Sequence, residues 1–130
     1  MLIYIICPVR NASSDIVDMI RNYVVGLKKS GHSVHFPNDD VNQDDATGLF
    51  ICEQHLSAMR QCDRVDIFWD VHSSGSHFDL GMAFALKKII NPIINLGNDN
   101  NGKSYWKVIN ELSKRNDSRI PTSHPMDTHR

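Results

Sequence analysis

Short β-branched or aromatic runs alternate with stretches of helical period along this chain, and that alternation constrains the fold more than any other feature. Leu2 to Ile6 is apolar without interruption, which suits a central strand of a parallel sheet covered on both faces. Ile16, Met19, Ile20, Tyr23, Val24 and Leu27 then recur at helical spacing, with Ser13 or Ser14 to cap a helix and Gly31 to stop it. His32 to Phe36 predicts a short second strand ending at Pro37, and Asn38 to Asp45 an acidic, turn-rich, mobile loop whose aspartates are solvated. A helix is expected from about Gly48 to Gln61, a strand from Val65, a helix from Phe78 to Lys88, and a fourth strand, Pro92 to Leu96, with its proline first. After a loop at Asn98 to Lys103, Ser104 caps a last helix whose inward face is Trp106, Val108, Ile109 and Leu112. Right-handed crossovers lay each helix on a sheet face, so the pattern predicts an α/β fold. The expected form is a single-domain, doubly wound, mainly parallel sheet of flavodoxin or Rossmann-like type, flanked by helices.

At 130 residues the chain accommodates one domain with a real core. Residues 1–115 are expected to form it, and 116–130, poor in hydrophobic side chains, a flexible tail or a segment lying on a partner. A net charge of −1 provides no basic stripe for a nucleic-acid backbone, which argues against polymeric nucleic acid as a partner. Cys7, Cys52 and Cys62 are odd in number and form no C-x-x-C pair, so they read as small buried hydrophobes. No segment approaches the roughly 20 apolar residues of a membrane span, and no signal-peptide pattern opens the chain. A cytoplasmic protein with no membrane partner is expected.

Chemistry concentrates in Ser73-Ser74-Gly75-Ser76-His77-Phe78-Asp79-Leu80-Gly81, a small polar loop between a strand and a helix expected to carry Asp79 in its first turn. Unpaired backbone N–H groups at a helix start attract anions, and open α/β sheets bind ligands beyond the carboxyl ends of their strands. The same residues also suit plain capping, with Ser76 or His77 as cap and Asp79 facing the helix dipole. Pro8-Val9-Arg10-Asn11 follows the first strand and shares that sheet edge, which places the Arg10 guanidinium where it can fork onto phosphate or carboxylate. An ion pair with Asp15 or Asp39 is the simpler role for Arg10. Asp63 is expected to cap or to pair with Arg60 or Arg64, and Glu53 and Asp70 to face solvent. His55, His72 and His77 lack a spacing that sets three ligands on one element, so no metal is expected.

These residues resemble the nucleoside 2-deoxyribosyltransferase family, including its branch of nucleoside 5'-monophosphate N-glycosidases. The resemblance covers roughly the first hundred residues. It rests on Ile3-Tyr4-Ile5 running into Pro8-Val9-Arg10-Asn11, on Phe50-Ile51-Cys52-Glu53-Gln54-His55-Leu56 leading to Gln61-Cys62-Asp63, and most specifically on Gly75 to Leu86. Two positions depart from the family pattern: Asp79 stands where the family has its glutamate, and His55 where the monophosphate branch has an aspartate. The resemblance implies cleavage or transfer at the N-glycosidic bond of a (deoxy)nucleoside or its 5'-monophosphate. Asp79 is then nucleophile or oxocarbenium stabiliser, His55 serves the leaving base or its proton, and Tyr4 touches the sugar or the carboxylate. Arg10 and Ser73, with Gly75, Ser76 and Phe78, are implied on the substrate. It further implies a small-molecule nucleoside or nucleotide as partner, no cofactor, and a homodimer or larger homo-oligomer. The competing expectation is a nucleotide-binding module on the same fold, with its chemistry impaired at Asp79 and His55.

Overall fold

The computed structural model describes residues 1–10, 12–97 and 102–119, with side chains through 115. The elements run β1 (Leu2–Ile6), α1 (Ser14–Lys29), β2 (Ser33–His35), α2 (Pro37–Asp40), α3 (Leu49–Gln61), β3 (Arg64–Trp69), α4 (Ser74–Ala85), β4 (Ile90–Asn95) and α5 (Tyr105–Arg119). The described strands form one parallel sheet in the order β2-β1-β3-β4. This is the α/β architecture that the alternating pattern predicts.

Strand periodicity sorts the core into two halves. Tyr4, Ile6, Val65, Ile67 and Trp69 face Met59, Leu80, Ala83 and Ile109, so α3, α4 and α5 cover that side. Ile3, Ile5 and Phe68 point the other way onto Ile20 and Val24 of α1. β1 and β3 are therefore buried on both faces, as the unbroken apolar run of β1 requires.

Local chemistry accounts for the helix ends. The Ile16 amide donates to Ser13 Oγ (3.3 Å) to start α1, and Gly31 takes a φ of 94° just past its end. α5 opens the same way, with the Lys107 amide donating to Ser104 Oγ at 3.2 Å. It continues to Arg119; the rest of the expected tail, 120–130, and the loop residues 98–101 lie outside the described residues.

Several expectations are corrected. α4 begins at Ser74, four residues before Phe78, because Ser73 caps it: the Ser76 amide donates to Ser73 Oγ at 3.2 Å. Asp79 consequently lies in the second turn of α4. The helix also stops at Ala85, before Lys88, with Lys87 in left-handed backbone at φ 56°. Pro92 sits inside β4 rather than at its start; β4 is an edge strand, and its register against β3 shifts between Ile67 and Phe68, where a missing N–H is tolerated. Val108 is exposed while its neighbour Ile109 is fully buried.

The acidic segment is more structured than a free loop. Asp39 pairs with Arg21 at 2.7 Å, Asp40 accepts from the Phe36 amide at 2.7 Å within the short helix α2, and Asp45 accepts from the Ile51 amide at 3.0 Å, closing the start of α3. That amide bond, with further help from the Gly48, Thr47 and Phe50 amides, holds the Asp45 carboxyl below the usual carboxylate range.

Candidate functional site

A cavity of about 470 Å³ opens at the carboxyl edge of β1 and β3, the place where neighbouring crossovers leave on opposite sheet faces. Cys7, Val9 and Arg10 enter it from the segment after β1, Pro37 from the first turn of α2, Gly48 from the N-cap of α3, and Ile51, Cys52 and His55 from α3 itself. His72, Ser73, Ser74 and Gly75 contribute the turn into α4, and Asp79 closes the wall one helical turn deeper.

Asp79 is the centre of the arrangement. Its carboxylate is buried, with the residue only 4% exposed, and both oxygens are engaged. Tyr4 donates its hydroxyl to Oδ2 at 2.8 Å, and His55 Nδ1 lies 3.1 Å from Oδ1. Tyr4 reaches it from the middle of β1, beneath the cavity. Burial first, then the charge of Asp79 and the bond to it, push the Tyr4 phenol far above its ordinary range, so it acts as a donor only. The same burial, with Asp79 nearby, pushes the Cys7 thiol up to about 12 and leaves it protonated and inert. Cys62, away from this cavity, is likewise raised to about 11 by burial.

The polar loop splits into two functions. Ser73 lines the cavity while also donating its hydroxyl to Ser76 Oγ at 2.9 Å. Ser76 is buried and turned into the helix start, and it is not among the cavity-lining residues. Phe78 is 52% exposed and also lies off the cavity lining. Gly75 lines the cavity, and a Cβ there would meet nothing within 4 Å, so its backbone approach is not sterically enforced. Arg10 stands exposed on the rim, and Asp39, once a candidate partner for it, is held by Arg21 in a forked pair at 2.7 and 2.9 Å. His77 points elsewhere: its Nδ1 lies 2.7 Å from the Ser73 carbonyl, and its ring packs against Trp69 and Tyr105.

Two features were not foreseen from the residues. His35, at the end of β2, packs its ring 4.9 Å from Tyr4 and meets His55 edge-on at 6.2 Å. Burial lowers its pKa, against the raising influence of Asp40. The parallel register that sets Tyr4 beside His35 is what makes this contact, and alternation in β2 was its signal. Asp66 is the second. It is fully buried in β3, on the side facing α1, and accepts from Arg64 Nε (2.7 Å), Tyr23 (2.5 Å) and Asn91 (3.1 Å). Asp63 does not pair with Arg64; its Oδ2 accepts from the Leu2 amide at 2.7 Å.

Among the described residues no cluster of three metal-ligating side chains occurs, and no helix is long and apolar enough to cross a membrane. No family model matches the chain, and no curated protein matches it. Its fold is shared with solved enzymes that act on nucleosides and nucleotides. One is the CMP N-glycosidase BcmB of Clostridium botulinum, 18% identical over 87% of this chain and 83% of that one, with a TM-score of 0.57. Another is a 2-deoxyribosyltransferase of Bacillus psychrosaccharolyticus, 18% identical over 85% of this chain and 91% of that one, with a TM-score of 0.61.

Proposed function

We propose that the protein cleaves or transfers at the N-glycosidic bond of a (deoxy)nucleoside or nucleoside 5'-monophosphate. The observation that carries this reading is the Asp79 carboxylate, buried in the cavity wall and held by Tyr4 and His55, with no arginine or lysine of the described residues paired with it. Breaking a glycosidic bond develops positive charge at the anomeric carbon and its ring oxygen, and a desolvated carboxylate stabilises that charge far better than water does. Asp79 supplies the negative charge, Tyr4 orients it, and His55 manages a proton. Arg10 and Ser73, beside the first turn of α4, suit a phosphate on the sugar. The fold shared with a CMP N-glycosidase and a 2-deoxyribosyltransferase supports the same substrate class. The reaction exchanges one bond at carbon for another without redox change, so this reading calls for no cofactor.

A second reading, a nucleotide-binding module without turnover, draws on the fact that neither Asp79 oxygen is unengaged. Incubation with a panel of nucleosides and 5'-monophosphates, with and without a second free base, separates the two. Base release or exchange supports the enzyme; an intact nucleotide retained by the protein supports the module. The homo-oligomer that the family resemblance implies and the cytoplasmic location that the sequence suggests belong to the same proposal, and sedimentation equilibrium showing a monomer would remove the former.

A further inference from the structure

We propose that the groove between α4 and α5 is a second ligand site, which takes an amphiphilic anion of acyl type. Its carboxylate head lies beside Lys103 and Lys107, and its hydrocarbon chain runs along Phe84, Val108 and Leu112. The site is separate from the Asp79 cavity and does not depend on the glycosidic reading.

The sequences of the two helices produce the groove. His77, Leu80 and Phe84 recur at i, i+3 and i+7 on α4, and Tyr105, Val108 and Leu112 do the same on α5, so each helix turns an apolar stripe towards the other. The stripes do not close on one another, because α5 packs chiefly on β4. Between them lies a groove of about 740 Å³, larger than the cavity of about 470 Å³ beside Asp79 and within the range of small-molecule sites. Phe84, Tyr105 and Val108 are 57%, 54% and 42% exposed, an apolar surface that the described residues leave in water.

Charge selects the sign of the ligand. Among the described residues, Lys103, Lys107 and Arg115 line the groove against one carboxylate, Glu111, which itself lies 3.1 Å from Lys114. Lys107 donates to the Gly102 carbonyl at 2.6 Å, and an ammonium has three hydrogens, so it still has donors for an anion. Along Phe84, Val108 and Leu112 the lining presents hydrocarbon. A nucleoside or a peptide would leave hydrogen-bonding groups unpaired there, whereas an acyl chain has none to lose. From Ser104, which caps α5, to Leu112 the helix rises about 12 Å, which suits a medium-length chain. A net charge of −1 gives the protein little attraction to an anionic bilayer, so the source is a free ligand rather than a membrane lipid.

The test is a calorimetric titration of the full-length protein with decanoate, kept below its micelle concentration. Saturable binding with a negative heat-capacity change is expected. Decyltrimethylammonium, with the same chain and the opposite charge, should bind about fivefold more weakly or not at all. Phe84→Ser should weaken decanoate about tenfold, and the double variant Lys103→Glu, Lys107→Glu about fivefold. All three positions are exposed, and circular dichroism checks that each variant is folded. No saturable binding, equal binding of the cationic amphiphile, or affinity unchanged in both variants overturns the site. Two other results overturn it by assigning the groove elsewhere. One is co-sedimentation with phosphatidylserine vesicles without decanoate binding, which gives it to a bilayer. The other is a dimer that excludes decanoate and that Phe84→Ser dissociates, which gives it to a second copy. No arm involves turnover, so failure here leaves the glycosidic reading untouched.

Discussion

Among the described residues two aspartates are buried, and they are solved by opposite means. Asp66, on the α1 side of β3, is 0% exposed and carries a forked guanidinium from Arg64, with Tyr23 and Asn91 completing its shell. Asp79, on the other side of the sheet, has a phenol and an imidazole but, among the described residues, no permanent cation. A carboxylate neutralised by arginine is electrostatically finished, whereas one held only by a phenol and an imidazole still attracts positive charge. Burial alone therefore does not mark a site. The proposed site rests on two further features of Asp79: no cation among the described residues pairs with it, and it lines a cavity at the carboxyl edge of the sheet.

The largest expected effect tests the finished member of the pair. Asp66→Ala leaves a largely buried guanidinium without its partner and should cost about 3 kcal/mol in urea unfolding; a change below about 1 kcal/mol would remove the contrast. Arg10→Ala should weaken use of 5'-monophosphates about tenfold while nucleosides are nearly unaffected, because a phosphate contact mainly orients substrate. Equal loss for both would deprive Arg10 of the phosphate role.

A smaller effect concerns His35, the ring behind Tyr4. Its pKa is lowered in the folded state by burial, so on acidification the unfolded chain takes up a proton first, near 6.5, and the folded chain only further down. Stability should fall as pH drops through that window and be unaffected by this group above it. Thermal melts between pH 7.5 and 5 should show less acid sensitivity in His35→Phe than in the wild type; identical slopes would contradict the assignment. Smallest of all, Gly81 lies in α4 with open space where a Cβ would go, so Gly81→Ala should add about 0.5–1 kcal/mol. A loss instead would mean that the helix face around Gly81 has a neighbour in solution.

The comparison also explains what the chain does and does not reveal when read as letters. Leu2 to Ile6 and Val65 to Trp69 are strong strand signals because doubly covered strands need continuous apolar runs, and the parallel sheet follows from them. That Asp79 is a candidate was legible from the polar loop and the family-like helix around it, and the structure places it in a cavity wall. Asp66 was hidden inside an apolar run: Arg64, two residues away, is its only local signal, while Tyr23 and Asn91 arrive from 43 and 25 residues off. The start of α4 was misplaced for a different reason. Ser73, Ser74, Gly75 and Ser76 are poor helix formers, and only the Ser73 cap and the packing of Ser76 show that the turn is already helical. His35 became visible only through the register that sets β2 beside β1.

The most direct measurement is base release, followed by chromatography, from a panel of nucleosides and 5'-monophosphates by wild-type protein beside Asp79→Ala and the more conservative Asp79→Asn. The account predicts free base with the wild type and at least a 100-fold loss in both variants, whose folds stay intact by circular dichroism. Release that persists in the folded variants, or none from the wild type, would contradict the assignment of Asp79 as the charge that a cationic transition state completes.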